Sequence, residues 1–128
     1  MIRFVGQLQT AFGIAPNRTV IAGFSQGSIL SARVALSAPE CVACCRAASC
    51  PSLEPHVASQ ERLAKLHGFI GHGQYDSKLP VAWAQRSDRL LDELPVSHLM
   101  RLYPIDHAIS PAMQADFVQW LQEVGLAV

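Results

Sequence analysis

The sequence predicts an α/β fold in which about four parallel strands form a sheet with helices on both faces. Short runs of β-branched and other apolar residues alternate along the chain with longer segments whose apolar residues recur at helical spacing. A helix-length segment between successive strands implies a crossover connection, which makes neighbouring strands parallel. The chain has 128 residues without an internal repeat or linker, so we expect a single domain over residues 1–128.

The first part of the chain predicts a helix, a strand and a second helix. Apolar residues within Ile2–Phe12 have a helical spacing, and Gly13 ends that segment. Thr19–Phe24 is a continuous apolar, β-branched run, as expected of a strand that is covered on both faces. Ser28–Ala38 is rich in alanine and is followed by Pro39, which indicates a buried helix.

The remaining elements continue the alternation. Proline or glycine marks the ends of several of them, because neither residue continues a helix or strand well. In chain order we predict a strand at Val42–Ser49, a short helix within Val57–Leu66 and a strand at His67–Gly71. These are followed by a helix at Val81–Leu94, a strand at Ser97–Tyr103 and a closing helix from Pro111 to just before Gly125.

The composition excludes several functional classes. Ten basic residues balance ten acidic ones, so the chain lacks the positive excess that binds nucleic acid or an anionic membrane surface. Only 16% of the residues are charged and 50% are hydrophobic, which excludes intrinsic disorder. The apolar runs are too short to span a bilayer, and the first residues do not resemble a secretory signal. We therefore expect a cytoplasmic domain.

Four cysteines lie close together at Cys41, Cys44, Cys45 and Cys50. The Cys-x-x-Cys spacing is compatible with a zinc site, because thiolates are good zinc ligands. A second ligand pair at a loop-sized distance is missing, since Cys45, Cys50 and His56 are the only nearby candidates. The sequence favours buried strand cysteines that act as small hydrophobic residues, with a zinc-binding module as the alternative. We expect neither a metal nor an organic cofactor.

The sequence Gly23-Phe24-Ser25-Gln26-Gly27 is a G-x-S-x-G pattern between a predicted strand and a predicted helix. In such a turn the serine hydroxyl projects from the end of the sheet, and the flanking glycines allow the strand and helix backbones to approach. The position between strand and helix favours a nucleophilic serine. The alternative is an ordinary turn serine.

An acid and a histidine follow two later strands. Asp76 comes after the third predicted strand and His107 after the fourth, so with Ser25 they lie on loops at the carboxyl ends of parallel strands, where ligands bind. The chain order Ser, Asp, His is that of the α/β-hydrolase triad. Asp76 is alternatively a turn or capping residue, and the neighbouring Asp106 is a rival acid. We interpret His72 as a packing or loop-ordering residue.

Ala11–Leu121 resembles the C-terminal part of the carboxylesterase/phospholipase branch of the α/β-hydrolases, which includes the acyl-protein thioesterases. The resemblance implies that Ser25 is the nucleophile, Asp76 the acid and His107 the general base, with the Gln26 backbone N–H as an oxyanion donor. The matching segments are Gly13-Ile14-Ala15-Pro16-Asn17-Arg18, Ala22-Gly23-Phe24-Ser25-Gln26-Gly27, Gly71-His72-Gly73 with Asp76, Leu79-Pro80, Tyr103-Pro104 with His107, and Trp120-Leu121.

The implied activity is hydrolysis of a small carboxylic ester or thioester through an acyl-serine intermediate, without a cofactor. Phe24 and Leu79 are apolar residues near the predicted loops and are candidates for acyl-chain contacts. Family members usually have a glycine before the histidine, whereas this chain has Asp106. The chain also begins after the place where the family carries further strands and a His-Gly-x-Gly-like oxyanion loop. A weakly active or non-catalytic remnant is therefore the alternative.

The absence of those strands implies that Thr19–Phe24 is an edge strand. This strand contains neither a charge nor a proline to prevent pairing with another chain. We therefore expect a homodimer or larger homo-oligomer that forms through this edge or through the Ile2–Phe12 helix.

Overall fold

A computed structural model describes residues 1–42, 44–47 and 58–127, with only the backbone described for residues 44–47. Four parallel strands form one sheet in the spatial order β1-β2-β3-β4. The strands are β1 (Val20–Ala22), β2 (Cys44–Ala47), β3 (His67–Gly73) and β4 (Ser97–Tyr103).

Five α-helices connect and flank these strands, and they are α1 (Ile2–Phe12), α2 (Gln26–Ser37), α3 (Gln60–Leu63), α4 (Val81–Glu93) and α5 (Pro111–Glu123). Helix α1 ends at Gly13, whose φ of 63° is left-handed and suits glycine. Helix α5 begins with Pro111, and the Ser110 side chain accepts a hydrogen bond from the Met113 N–H. None of the described helices is both long enough and apolar enough to cross a bilayer. The cytoplasmic location stays a prediction.

The core lies on both faces of the sheet because successive β3 side chains point in opposite directions. Ile70 belongs to a buried cluster that includes Leu36 of α2 and Leu91 of α4. Its neighbour Phe69 faces α5, where its ring lies 5.5 Å from that of Trp120. The predicted α/β class, with four parallel strands and helices on both faces, is confirmed.

Element boundaries differ from the predictions around the first strand and at the end of β3, which continues to Gly73 and not only to Gly71. β1 ends at Ala22, two residues earlier than predicted, and α2 begins at Gln26, two residues earlier than predicted. The chain turns sharply between the two elements, so the residues between them belong to neither. The short helix predicted within Val57–Leu66 is the single turn α3. Ala43, Ala48, Ser49 and Val57 of the predicted elements lie outside the described residues.

β1 is an edge strand of the described sheet, because it pairs only with β2. Helix α1 contains no buried residue and leaves large apolar side chains exposed, among them Phe4, Leu8 and Phe12. A groove of about 350 Å³ lies between α1 and β1. The strand edge and the α1 surface together form an uncovered apolar face.

Candidate active site

The turn between β1 and α2 holds Ser25 in an unusual backbone conformation. Ser25 has φ 56° and ψ −124°, and it is the only non-glycine with positive φ among the described residues. The Oγ of Ser28 donates a hydrogen bond to the Ser25 carbonyl oxygen over 2.5 Å and so holds the turn from within α2. Such strained conformations cluster at functional sites, because the surrounding structure has to impose them.

The two glycines that flank this turn are not equivalent. A Cβ atom on Gly23 would overlap the backbone of Gly27 and lie 2.6 Å from the Ser28 nitrogen. A Cβ atom on Gly27 would meet nothing within 4 Å. The interpretation that both glycines allow the strand and helix to approach is therefore wrong for Gly27. Its neighbours leave room for a side chain, whereas those of Gly23 do not.

The loop after β3 is organised around Asp76. Asp76 Oδ1 accepts hydrogen bonds from the backbone N–H groups of Lys78 at 2.9 Å and Leu79 at 2.8 Å. His72 is buried, with 2% exposed, and its Nε2 lies 2.8 Å from the Leu79 carbonyl oxygen. Asp76 therefore shapes this turn, which is the role that the alternative interpretation gave to it. His72 helps to order the same loop.

The loop after β4 packs directly against the loop after β3. The Gln74 N–H donates to the Tyr103 carbonyl oxygen at 2.7 Å, and the Tyr75 N–H donates to that of Ile105 at 3.1 Å. A Cβ atom on Gly73 would overlap the backbone carbonyl oxygens of residues 105 and 106, so only glycine allows this approach. The packing brings His107 over Asp76.

Ser25, His107 and Asp76 lie in one hydrogen-bonded row. His107 Nδ1 is 2.9 Å from Asp76 Oδ2 and 3.1 Å from Oδ1, and His107 Nε2 is 3.0 Å from Ser25 Oγ. In the tautomer that satisfies both contacts, Nδ1–H donates to the carboxylate and Nε2 accepts the serine proton. The side chains of Asp76 and His107 are 5% and 19% exposed. This arrangement is able to move a proton from Ser25 to His107.

The electrostatics keep Asp76 ionised. Burial acts to raise the pKa of this carboxyl, but the hydrogen bonds from Leu79, His107 and Lys78 together outweigh it. The net result is a pKa below the ordinary aspartate value. A charged carboxylate at this position stabilises a protonated imidazole.

None of the described hydrogen bonds of the rival acid Asp106 reaches the imidazole ring. Its Oδ1 accepts the backbone N–H groups of Ser77 and His107, both at 2.7 Å. Hydrogen bonds from the Ser77 N–H, the Ser77 side chain and the His107 N–H, in decreasing order of effect, lower the pKa of the exposed Asp106 carboxyl. Sequence reasoning did not predict this bridge between two loops, although the departure from the family's glycine at this position was a signal.

The other three predicted site residues surround this row. Gln26 is the first residue of α2, where a backbone N–H has no partner within the helix and is free to bind an anion. The Phe24 ring is 40% exposed and lies against the His107 ring. Leu79 is half-buried in the loop that holds Asp76. A cavity of only about 10 Å³, the size of one water molecule, lies beside Phe24 and His107.

The candidate metal ligands lie apart from this row. Asp88, Asp92 and His98 place one donor atom each within 4.8 Å of the others. His98 Nε2 lies 3.0 Å from Asp88 Oδ1, so this group already forms a hydrogen bond or ion pair. Cys41 is a free cysteine, and the other three cysteine side chains of the predicted cluster lie outside the described residues. The zinc alternative therefore stays untested.

Residues 1–124 match the family model described as phospholipase/carboxylesterase. None of the curated proteins is significantly similar to the chain in sequence.

Solved structures share the fold. The carboxylesterase of Bacillus cereus is 16% identical and aligns with 96% of this chain and 57% of its own, with a TM-score of 0.81. SOBER1 of Arabidopsis thaliana is 19% identical, with coverages of 94% and 59% and a TM-score of 0.74. Acyl-protein thioesterase 2 of Zea mays is 19% identical, with coverages of 80% and 54% and a TM-score of 0.65. The chain thus spans less than two thirds of each of these structures.

Proposed function

The chain belongs to the phospholipase/carboxylesterase family, as its motifs predicted, and we propose that it is a serine hydrolase. Its substrates are small carboxylic esters or thioesters with short or medium acyl chains. The main support is the row of hydrogen bonds from Ser25 Oγ through His107 to Asp76. The nucleophile, the base and the orienting acid of acyl transfer require this connectivity.

In the first half of the reaction His107 Nε2 takes the Ser25 proton while Oγ attacks the substrate carbonyl carbon. The Gln26 N–H, at the start of α2, donates a hydrogen bond to the oxyanion of the tetrahedral intermediate. The intermediate collapses when the bond to the leaving group breaks, and the imidazolium gives its proton to the departing alcohol or thiol. The acyl group is then bound to Ser25.

In the second half a water molecule attacks the acyl-serine. His107 removes a proton from the water and then returns one to Ser25 Oγ, which releases the carboxylic acid. Asp76 holds the imidazole in the required tautomer throughout and stabilises the imidazolium. Each step uses side chains and backbone groups of this chain.

A weakly active or non-catalytic unit that acts in folding or in interactions is the second candidate. The observation that favours it is the cavity of about 10 Å³ beside Phe24 and His107, which is far smaller than an acyl chain. Gln26 is also the single oxyanion donor that we assign. Loss of one such donor typically lowers kcat about 10²- to 10³-fold.

Covalent labelling separates the two candidates. A fluorophosphonate probe is expected to label the protein at Ser25 and to leave Ser25→Ala unlabelled. Hydrolysis of p-nitrophenyl acetate is expected to disappear in both Ser25→Ala and His107→Ala. Absence of labelling and of hydrolysis in the folded wild type would reject the hydrolase proposal in favour of the non-catalytic unit.

A further inference from the structure

The loops after β3 and β4 are joined by two adjacent contacts. The second contact lies one residue later on the first loop and one residue earlier on the second loop. Asp76 accepts a hydrogen bond from the His107 ring at 2.9 Å. The next residue of the first loop, Ser77, donates its N–H over 2.7 Å to Asp106, which is the residue before His107. The second contact therefore stands one residue away from the acid–imidazole contact on both loops.

One oxygen of Asp106 holds the backbones of both loops. Its Oδ1 accepts the Ser77 N–H and also the His107 N–H, each at 2.7 Å. The hydrogen bonds that it accepts favour the ionised carboxylate and lower its pKa. Hydrogen bonds to an ionised acceptor are shorter and stronger than those between neutral groups.

Other contacts between these loops lie farther from the functional side chains. The hydrogen bonds from Gln74 to Tyr103 and from Tyr75 to Ile105 precede Asp76 on one loop and His107 on the other. Between residues 76–79 and 105–108, the described hydrogen bonds are all accepted by two carboxylates, those of Asp76 and Asp106. Removal of the Asp106 carboxylate would leave the acid–imidazole contact as the one described hydrogen bond between residues 76–79 and 105–108.

We propose that Asp106 is a positioning residue that fixes the Asp76–His107 pair by joining the backbones of the loops that carry it. This role presupposes the serine hydrolase function proposed above. The described hydrogen bonds of Asp106 reach neither the imidazole ring nor the Ser25 hydroxyl, so it acts through the backbone position of His107. Misplacement of a catalytic group by about 1 Å can lower the rate by about 10².

Two substitutions of Asp106 provide the test. Asp106→Ala removes the acceptor, so we expect kcat to fall between about 10-fold and 100-fold while KM stays within about twofold. Asp106→Asn keeps a side-chain oxygen that can accept both N–H groups, so we expect it to restore most of kcat. Glu93→Ala is the control, because Glu93 is an exposed acidic residue at the C-terminal end of α4.

A spectroscopic measurement separates this role from catalysis. The Nδ1 proton of His107, held by Asp76, should give a low-field proton NMR signal in the wild type that is absent from His107→Ala. We expect Asp106→Ala to shift or broaden this signal, while Asp106→Asn and Glu93→Ala preserve it. The signal is measurable even if Ser25 proves unreactive, so failure of the hydrolase proposal leaves this test intact.

Two results would overturn the positioning role. One is an Asp106→Ala protein with an unchanged low-field signal and, if the wild type is active, unchanged kcat. The other is an Asp106→Asn protein that is as defective as Asp106→Ala, because the charge rather than the shared hydrogen-bond acceptor would then be responsible.

Discussion

The rings of Phe24 and His107 are in contact, with centroids 4.7 Å apart and planes inclined by 36°. Phe24 precedes Ser25 in the turn after β1, so this contact links the turn of the nucleophile to the loop of the base. It supports the face of the imidazole while Asp76 and Ser25 hold its two nitrogens. Two hydrogen bonds and one ring contact thus orient one side chain.

The first prediction concerns this ring contact. Phe24→Ala should lower kcat about 2- to 10-fold, because aromatic pairs contribute about 0.5–1.5 kcal/mol beyond their buried area. Phe24→Leu should lose less, since it keeps an apolar side chain against the imidazole. Steady-state kinetics with p-nitrophenyl acetate provide the measurement. An unchanged kcat in both variants would show that the ring contact does not orient His107.

The second prediction concerns the acid. Asp76→Asn should retain the fold but lower kcat by about 10⁴, because an amide does not hold the imidazole in the required tautomer. Circular dichroism checks the fold, and kinetics with the same ester check the rate. A near wild-type rate in this variant would assign the acid role to a residue other than Asp76.

The third prediction concerns the dependence of stability on pH. The pKa of Asp76 in the folded protein lies below its ordinary value, which is about 3.9 in an unfolded chain. Its ionised form therefore stabilises the fold above that pH, and this contribution disappears as the pH falls through the lower folded value. Urea unfolding at pH 7 and near pH 3 should show a larger loss of unfolding free energy for the wild type than for Asp76→Asn. Equal losses would contradict the lowered pKa.

The fourth prediction compares the two glycines of the serine turn. Gly23→Ala should destabilise the protein and abolish labelling of Ser25, because the new Cβ atom would overlap the backbone of Gly27. Gly27→Ala should keep the stability and the labelling of Ser25, since its Cβ atom would meet nothing within 4 Å. Alanine within a helix is favoured over glycine by up to about 1 kcal/mol, so this variant should be as stable as the wild type or slightly more. Thermal unfolding and probe labelling test the pair.

The fifth prediction concerns the apolar face formed by α1 and the β1 edge. We expect a homodimer or larger assembly through this face, because unpaired strand edges and exposed apolar patches promote association. Light scattering should show the wild type as an oligomer and Leu8→Glu as a smaller species. Val118→Glu is the control, because Val118 is an exposed apolar residue of α5 that does not line the groove between α1 and β1. A wild-type monomer would refute the expected oligomer.

Much of the fold follows from local patterns in the sequence. Helix α1 and strand β4 have the predicted boundaries, because their apolar spacing and the residues at their ends depend only on nearby sequence. The relative positions of Ser25, Asp76 and His107 were predictable because the carboxyl ends of parallel strands meet at one edge of the sheet.

The remaining features depend on contacts between distant parts of the chain. Phe24 meets His107, and Ser77 meets Asp106, only after the sheet has formed. The different requirements at Gly23 and Gly27 likewise follow from how α2 packs behind β1, since both residues look alike in the sequence pattern. Local spacing contains no information about such packing.

The positive φ of Ser25 lowers the stability of the folded protein, although the serine hydroxyl at this position is needed for reactivity. Glycine adopts a positive φ readily, whereas other residues in sparsely populated backbone regions destabilise the folded state by about 1–3 kcal/mol each. A glycine at this position would therefore give a more robust domain that has no hydroxyl to present. Selection for stability alone would replace the serine. Its presence therefore means that the protein is less stable than it would be with glycine, in exchange for a reactive hydroxyl.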